Sequence, residues 1–154
     1  MTTAPSASST VEVAATPAAV YDLVTDLTTL AELADEAMRM RWRGSASSAV
    51  PGAVFKGTNR NGWRRWTTTC TVTDAEVGRR FAFDVSYVGV PIARWQYDIA
   101  ASGDGCAVTE STWDRRPGWM RPLGGLATGV ADRPTVNGAH IEATLRRLKA
   151  RAES

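Results

Sequence analysis

Glu110 is the residue of this chain with the clearest capacity for chemistry, because it falls within an alternating apolar pattern. In the stretch 106–113, Val108, Glu110 and Thr112 occupy every second position and so share one face of a predicted strand. Phased on Val108, this is the inward face. A carboxyl group buried without a counter-charge has a raised pKa and can act as a general acid or base. The alternative, an ion pair with an arginine at a strand end, stays open.

Two further polar residues are predicted to approach the same interior. Asn59 lies four residues after Phe55 in a predicted strand, and His140 flanks the apolar stripe of a predicted long helix. Together with Glu110 they are our candidate catalytic residues. Aldol-type ring closure or dehydration would require only proton transfer and a pocket that folds a flexible chain into a reactive shape. In the simpler interpretation, Asn59 satisfies backbone groups near a turn and His140 is exposed.

Tryptophan is frequent in this chain, with six in 154 residues. Each combines a large apolar body with one N–H donor, so several on one sheet face would make a suitable wall for an aromatic ligand. Filling of a core explains the same pattern equally well. With the polar residues that share their faces, the candidate ligand-binding residues are Phe55, Trp66, Thr68, Phe83, Trp95, Tyr97, Thr112, Asn137 and Ile141.

The composition argues against several kinds of site. One histidine and two cysteines cannot build a His-rich or four-cysteine metal centre, and neither a nucleophile motif nor a phosphate-binding glycine loop is present. We therefore expect no metal and no cofactor. The net charge of +2 gives no basis for nucleic-acid binding. Asp114, although on the inward face, stands beside Arg115 and Arg116, which predicts a surface ion pair.

Compartment and domain limits follow from the cysteines and from the N-terminal composition. Cys70 and Cys106 are too few for a disulfide scaffold and favour reduced thiols in a cytoplasmic protein. No apolar run reaches the ~18 residues of a membrane span.

Residues 1–10 lack the apolar segment of a signal peptide and are predicted to be a disordered tail, whereas residues 11–152 are predicted to form one domain. No motif sets the oligomeric state, so we expect a monomer or a homodimer.

The periodicity predicts a strand, two short helices, six more strands and a long helix. After a strand at 11–14, one helix opens at Thr16-Pro17 and a second covers 30–37. Alternation with short turns between strands then predicts an antiparallel meander. Its strands lie at 38–43, 54–59, 64–73, 81–87, 93–100 and 106–113.

The predicted long helix covers 127–151. Its apolar stripe consists of Val130, Ile141, Leu145 and Leu148, and this stripe is expected to face the sheet. Asn137 lies four residues before Ile141, so it shares that face. Pro134 and Gly138 predict a kink or a loosened first half. A helix that does not pack flush on a sheet leaves room for a ligand.

The order of elements and several short segments carry a resemblance to a known family. The segments are 14–21, 55–60, 63–66, 94–97, 108–114 and 145–149, and the likeness covers nearly everything after residue 10. The chain resembles the START-like helix-grip superfamily (SRPBCC), in particular its actinobacterial polyketide cyclase/dehydrase branch. The resemblance implies an α+β helix-grip fold, in which a curved antiparallel sheet of about seven strands wraps around the long C-terminal helix.

The same resemblance implies a cavity between sheet and helix that binds an apolar or aromatic small molecule. Three functions remain open, because fold does not settle function. The first is a cofactor-independent cyclase or dehydratase that uses Glu110. The second is a non-catalytic carrier or sensor for a lipid or another apolar metabolite. The third is a regulatory partner of another protein, which an exposed apolar patch at 119–126 would support.

Overall fold

The computed structural model describes residues 3–34, 37–120 and 133–154. These residues form one curved antiparallel sheet with helices on its concave side, the helix-grip α+β arrangement expected from the sequence. The strands are β1 (Ala7–Val13), β2 (Ala37–Trp42), β3 (Val54–Asn61), β4 (Arg64–Glu76), β5 (Arg80–Tyr87), β6 (Val90–Ser102) and β7 (Gly105–Asp114). Their order in the sheet is β1-β7-β6-β5-β4-β3-β2, so β2 to β7 form the predicted meander and β1 pairs with its last strand.

Two short helices, α1 (Pro17–Thr25) and α2 (Leu27–Leu33), connect β1 to β2. Thr16 caps α1, because its hydroxyl accepts a hydrogen bond from the backbone N–H of Ala19 at 3.2 Å. Asp26 ends α1 and caps α2, and its carboxylate accepts bonds from the N–H groups of Thr28 and Thr29. Helix α2 thus begins three residues before the predicted position 30, because Asp26 supplies an N-cap that the apolar pattern alone does not reveal.

The long C-terminal helix, α3 (Arg133–Glu153), packs on β1 and β7. Ile141, Leu145 and Leu148 are buried, as the apolar stripe predicted. The carboxylate of Glu153 accepts bonds from the backbone N–H of Ala14 and from Lys149, which ties the end of α3 to the end of β1. The predicted helical residues 127–132, Val130 among them, lie outside the described residues.

The predicted disordered tail is wrong for residues 7–10, which belong to β1. The register runs from Ala7 opposite Thr112 to Val13 opposite Cys106. Hydroxyl pairs across the two strands add to the backbone bonds, with Ser8 bonded to Ser111 at 2.9 Å and Thr10 to Thr109 at 2.7 Å. Serine and threonine carry no apolar alternation, so the first half of this strand has no signal in the hydrophobic pattern.

Bulges give the sheet its curvature. The register shifts between Val72 and Asp74 in the β4–β5 pair and between Val85 and Ser86 in the β5–β6 pair. An extra residue in one strand increases the local twist and bends the strand. Because the bulges lie in the central strands, the sheet forms a trough that one helix packed on β1 and β7 does not fill.

Gly105, the first residue of β7, allows β1 to approach closely. A Cβ atom at this position would collide with the backbone carbonyl of Val13. We expect Gly105→Ala to lower the free energy of unfolding by about 1–3 kcal/mol, because backbone rather than a flexible side chain would have to move. Urea denaturation followed by circular dichroism measures this loss.

Gly118→Ala is the matched control, since no described atom lies within 4 Å of the position that its Cβ would take. This variant should retain wild-type stability. Equal stability of the two variants would contradict the close approach of β1 and β7.

Candidate functional site

A pocket of about 430 Å³ lies between the concave face of the sheet and the first half of α3. Its walls are mainly apolar, as expected where sheet side chains alternate inward. Leu30 of α2 and Ala34, the C-cap of that helix, close one side, and Asn137, His140 and Thr144 of α3 close another. Strands β2 to β7 supply most of the remaining wall, and Arg116, Trp119 and Met120 of the segment after β7 complete it. The strand side chains include Met40, Trp66, Cys70, Phe83, Val85, Ile92, Trp95, Tyr97 and Glu110.

Glu110 supplies a buried carboxyl group to this pocket. Its residue exposure is only 3%, and it stands opposite Tyr97 in the register of β6 and β7. The Tyr97 hydroxyl donates a hydrogen bond of 2.8 Å to Glu110 Oε2. Oε1 is also buried and has no hydrogen-bond partner among the described residues. Buried polar atoms normally have a partner, so an unsatisfied oxygen on a pocket wall is an unusual feature.

Burial raises the pKa of Glu110 to about 8, and the hydrogen bond from Tyr97 offsets only part of this shift. Desolvation disfavours the charged carboxylate, and no described arginine or lysine pairs with it. At neutral pH the side chain is therefore mostly a protonated carboxylic acid. Burial and the nearby Glu110 likewise raise the pKa of Tyr97 well above its usual value, so its hydroxyl remains a donor.

The described structure brings most of the predicted site residues together. Asn59 and His140, the other candidate catalytic residues, line the pocket together with Glu110. Of the predicted ligand-binding residues, those on the wall are Trp66, Thr68, Phe83, Trp95, Tyr97 and Asn137.

Three predicted ligand-binding residues lie outside the pocket wall. Phe55 is fully buried between the rings of Trp42 and Phe83, which it meets edge to face. The Thr112 hydroxyl donates to the backbone carbonyl of Arg94 at 2.9 Å. Ile141 is fully buried in the core beneath α3. Periodicity gives the face of a residue correctly, but it does not give its depth beneath neighbouring side chains.

Asn59 belongs to a small local network. Its side-chain amide donates to the Thr68 hydroxyl at 3.3 Å and to the Gly57 carbonyl at 3.4 Å. This arrangement agrees with the interpretation that Asn59 satisfies polar groups of its own hairpin. The network nevertheless faces the pocket, because Gly57, Asn59 and Thr68 all belong to its wall.

The ion pair predicted at Asp114 forms, but it is not on the open surface. The Arg116 guanidinium donates from Nε to Asp114 Oδ1 at 3.0 Å and from Nη2 to Oδ2 at 2.8 Å. The two side chains are only 12% and 10% exposed, and both residues line the pocket. The alternation that places Glu110 inward also places Asp114 inward, whereas its two arginine neighbours in sequence favour an exposed pair.

Other chemical sites are absent from the described part of the chain. Within residues 3–34, 37–120 and 133–154, His, Cys, Asp and Glu side chains form no cluster that could hold a metal ion. Cys70 and Cys106 are buried free thiols, and burial raises the pKa of Cys70 to about 12, which makes it unreactive. None of the described helices is long and apolar enough to cross a membrane.

Comparison with known proteins agrees with this fold. A model of the family "Polyketide cyclase / dehydrase and lipid transport" matches residues 4–153. The chain therefore belongs to this family. No curated protein matches the sequence.

Solved structures share the fold at low sequence identity. The di-domain ARO/CYC StfQ from the steffimycin biosynthetic pathway has a TM-score of 0.73 at 16% identity, over 95% of this chain and 50% of that one. The KanY protein (ms6282) has a TM-score of 0.68 at 20% identity over the full length of both chains. The Polyketide_cyc-like protein Cgl2372 from Corynebacterium glutamicum has a TM-score of 0.61 at 25% identity, over 92% of this chain and 87% of that one. The chain spans about half the length of the di-domain protein.

The raised pKa of Glu110 makes stability depend on pH. The folded protein keeps this proton up to about pH 8, whereas the unfolded chain loses it near the ordinary value of 4.5. The stabilising effect of the proton is thus complete below pH 4.5 and is lost as the pH rises to about 8. The amide introduced by Glu110→Gln cannot ionise, so we expect the stability of this variant relative to wild type to rise by on the order of 4 kcal/mol between pH 4.5 and 9. Urea denaturation at several pH values measures this difference.

Glu142→Gln is the control, because it removes an exposed carboxylate from the same protein. Its stability relative to wild type should stay nearly constant over the same range. A constant difference for Glu110→Gln as well would show that Glu110 ionises normally.

Proposed function

We propose that this protein binds an apolar or aromatic small molecule in the pocket between the sheet and α3. The observation that carries this proposal is a mainly apolar pocket of about 430 Å³ that contains one buried, unpartnered carboxyl oxygen. Pockets for small organic ligands typically measure ~300–1,000 Å³ and combine apolar walls with a few polar groups that fix orientation. Trp66, Trp95 and Phe83 supply flat apolar surfaces against which a ring system could pack.

Glu110 favours a ligand that carries a neutral oxygen function. As a protonated acid it can donate a hydrogen bond from one oxygen while Tyr97 holds the other. A carbonyl or hydroxyl oxygen placed against Oε1 would satisfy that atom. A purely hydrocarbon ligand would leave it buried without a partner, at a cost of about 1–3 kcal/mol. The ligand is therefore apolar over most of its surface, with an oxygen at the end that meets Glu110.

A second candidate function is catalysis of ring closure or dehydration without a cofactor. The raised pKa of Glu110 favours it, because an acid with a pKa near the working pH transfers protons efficiently. In dehydration, Glu110 would protonate a hydroxyl oxygen of the substrate as that group leaves as water, while a base removes the proton from the neighbouring carbon. StfQ, which shares the fold, is a di-domain ARO/CYC protein, and this likeness supports the same class of reaction as a proposal.

A carrier or sensor would use the same pocket without turnover. The two functions differ in what happens to the ligand and not in how it binds. We further propose that the protein is cytoplasmic and is a monomer or a homodimer. Both statements are predictions from the sequence. Membership of the actinobacterial branch of the family is a prediction from the sequence as well.

Blocking the pocket tests ligand binding directly. Ala93 of β6 lies on the pocket wall, so Ala93→Phe would place a ring inside the cavity. We expect wild-type protein to show saturable quenching of tryptophan fluorescence with aromatic ketones and phenols, and Ala93→Phe to lose at least about tenfold in affinity, because ligand and ring compete for the same volume. Native mass spectrometry of purified wild-type protein should show the 1:1 complex.

Ala100→Phe is the matched control, since Ala100 lies on the same strand but is exposed. It should bind like wild type, and thermal denaturation of both variants confirms that they fold. Equal binding by wild type and Ala93→Phe would exclude this pocket as the site.

Turnover is tested separately with a bound ligand that carries a β-hydroxy ketone. If Glu110 acts as the acid, Glu110→Gln should lower the rate of water loss by about 100-fold or more while the ligand still binds. Product analysis by mass spectrometry, which detects the loss of water, gives this rate. Binding without product in the wild-type protein would favour the carrier or sensor function, and an unchanged rate in the variant would contradict the role of Glu110.

A further inference from the structure

One end of the sheet forms the mouth of the pocket. In the antiparallel meander, β3, β5 and β7 all end on the same side, which brings together the turns at 61–64 and 87–90 and the segment after Asp114. The exposed members of the pocket wall, Arg65, Tyr87 and Trp119, lie at this end. The buried members, such as Cys70 and Thr144, lie deeper.

This mouth has an exposed apolar rim, which we define as Trp63, Tyr87, Val88 and Trp119. Their exposed fractions are 81%, 39%, 85% and 63%. Across the described residues, the only other large apolar side chains this exposed are Val50 and Val77. Exposed apolar area is therefore concentrated at the mouth, where it adds nothing to the core. Such concentration marks an interaction surface.

Val88, a residue of the rim, adopts a backbone conformation that valine disfavours. Its φ is 48°, and it precedes Gly89 at φ 80° in the two-residue turn between β5 and β6. Turns of this kind favour Asn-Gly, because both residues need a positive φ. A β-branched residue with positive φ is strained. Folding alone does not account for valine here, so a contact made by its exposed side chain is the better explanation.

Arginines beside the rim make the mouth cationic. The Arg64 guanidinium lies over the Trp63 ring, 4.4 Å from its centroid. Arg60 and Arg65 pair with no carboxylate among the described residues. Asp84 and Asp114, the described carboxylates nearest this end, are already neutralised by Arg115 and Arg116. An anionic surface would therefore complement the charge of the mouth.

We propose that the rim docks on an anionic lipid surface, so that the mouth of the pocket opens toward the membrane. Tryptophan and valine at separate turn tips can enter the interfacial layer one by one, whereas a bound peptide would need a continuous groove. Arginines beside them would meet lipid phosphates. An apolar ligand could then pass between bilayer and pocket without crossing water. This inference is independent of the proposed function, because docking requires neither a particular ligand nor Glu110. Membrane docking can therefore be disproved while ligand binding is confirmed, and the reverse.

Co-sedimentation with lipid vesicles tests the proposal. We expect the protein to sediment with vesicles of phosphatidylcholine mixed with phosphatidylglycerol, to sediment weakly with phosphatidylcholine alone, and to dissociate as salt is raised. No sedimentation with either vesicle would overturn the proposal and would leave a soluble acidic partner as the alternative.

Val88→Asn gives the sharpest variant. Because asparagine tolerates a positive φ, this change should raise the melting temperature while it lowers vesicle partitioning by about fivefold.

Val77→Asn is the matched control, since Val77 is 73% exposed in the turn between β4 and β5, at the opposite end of the sheet. It should partition like wild type. Trp63→Ala should lose partitioning as Val88→Asn does. Equal losses at positions 77 and 88, or no loss in either rim variant, would contradict docking through the rim.

Discussion

The one-sided packing of α3 is the constraint on which the pocket depends. The second half of the helix is held firmly, because Ile141, Leu145 and Leu148 are buried against the sheet and Glu153 is bonded to the end of β1. The α3 positions that line the pocket, beside this stripe and in the turn before it, are instead polar: Thr144, His140 and Asn137. These polar side chains gain little from burial against apolar strands. The helix therefore seals β1 and β7 and leaves the trough over the central strands uncovered.

Glu110 lies at the boundary between these two regions. It belongs to β7, the strand beneath α3, and it faces Tyr97 of β6, which borders the open trough. A carboxyl group deeper in the core would need a counter-charge, and one nearer the mouth would be hydrated and ionised in the ordinary way. At the boundary, one oxygen is held by Tyr97 and the other stands on the pocket wall. The position on the sheet thus produces both the raised pKa and the access to a ligand.

Much of this arrangement could be predicted from the sequence, because strands in a meander are short-range features. Period-two alternation placed Glu110, Tyr97 and Thr68 on the concave face, and the four-residue spacing from Ile141 placed Asn137 correctly on α3. Depth could not be predicted in this way. Phe55, Thr112 and Ile141 face inward but lie beneath other side chains, and this depends on contacts between distant parts of the chain. Hydroxyl-rich β1 likewise becomes a strand only through its partner β7.

Departures from ordinary folding preferences are concentrated along the pocket. Inside it, Glu110 keeps a buried oxygen without a partner, and at its mouth Val88 keeps a strained backbone and an exposed apolar side chain. Elsewhere the local rules hold, as the caps at Thr16 and Asp26 and the positive-φ glycines of the other turns show. Proteins tend to retain such unfavourable features where function requires them. Two independent departures, one electrostatic and one conformational, thus lie in the pocket wall and in a turn beside its mouth, which supports a functional role for the pocket and its mouth.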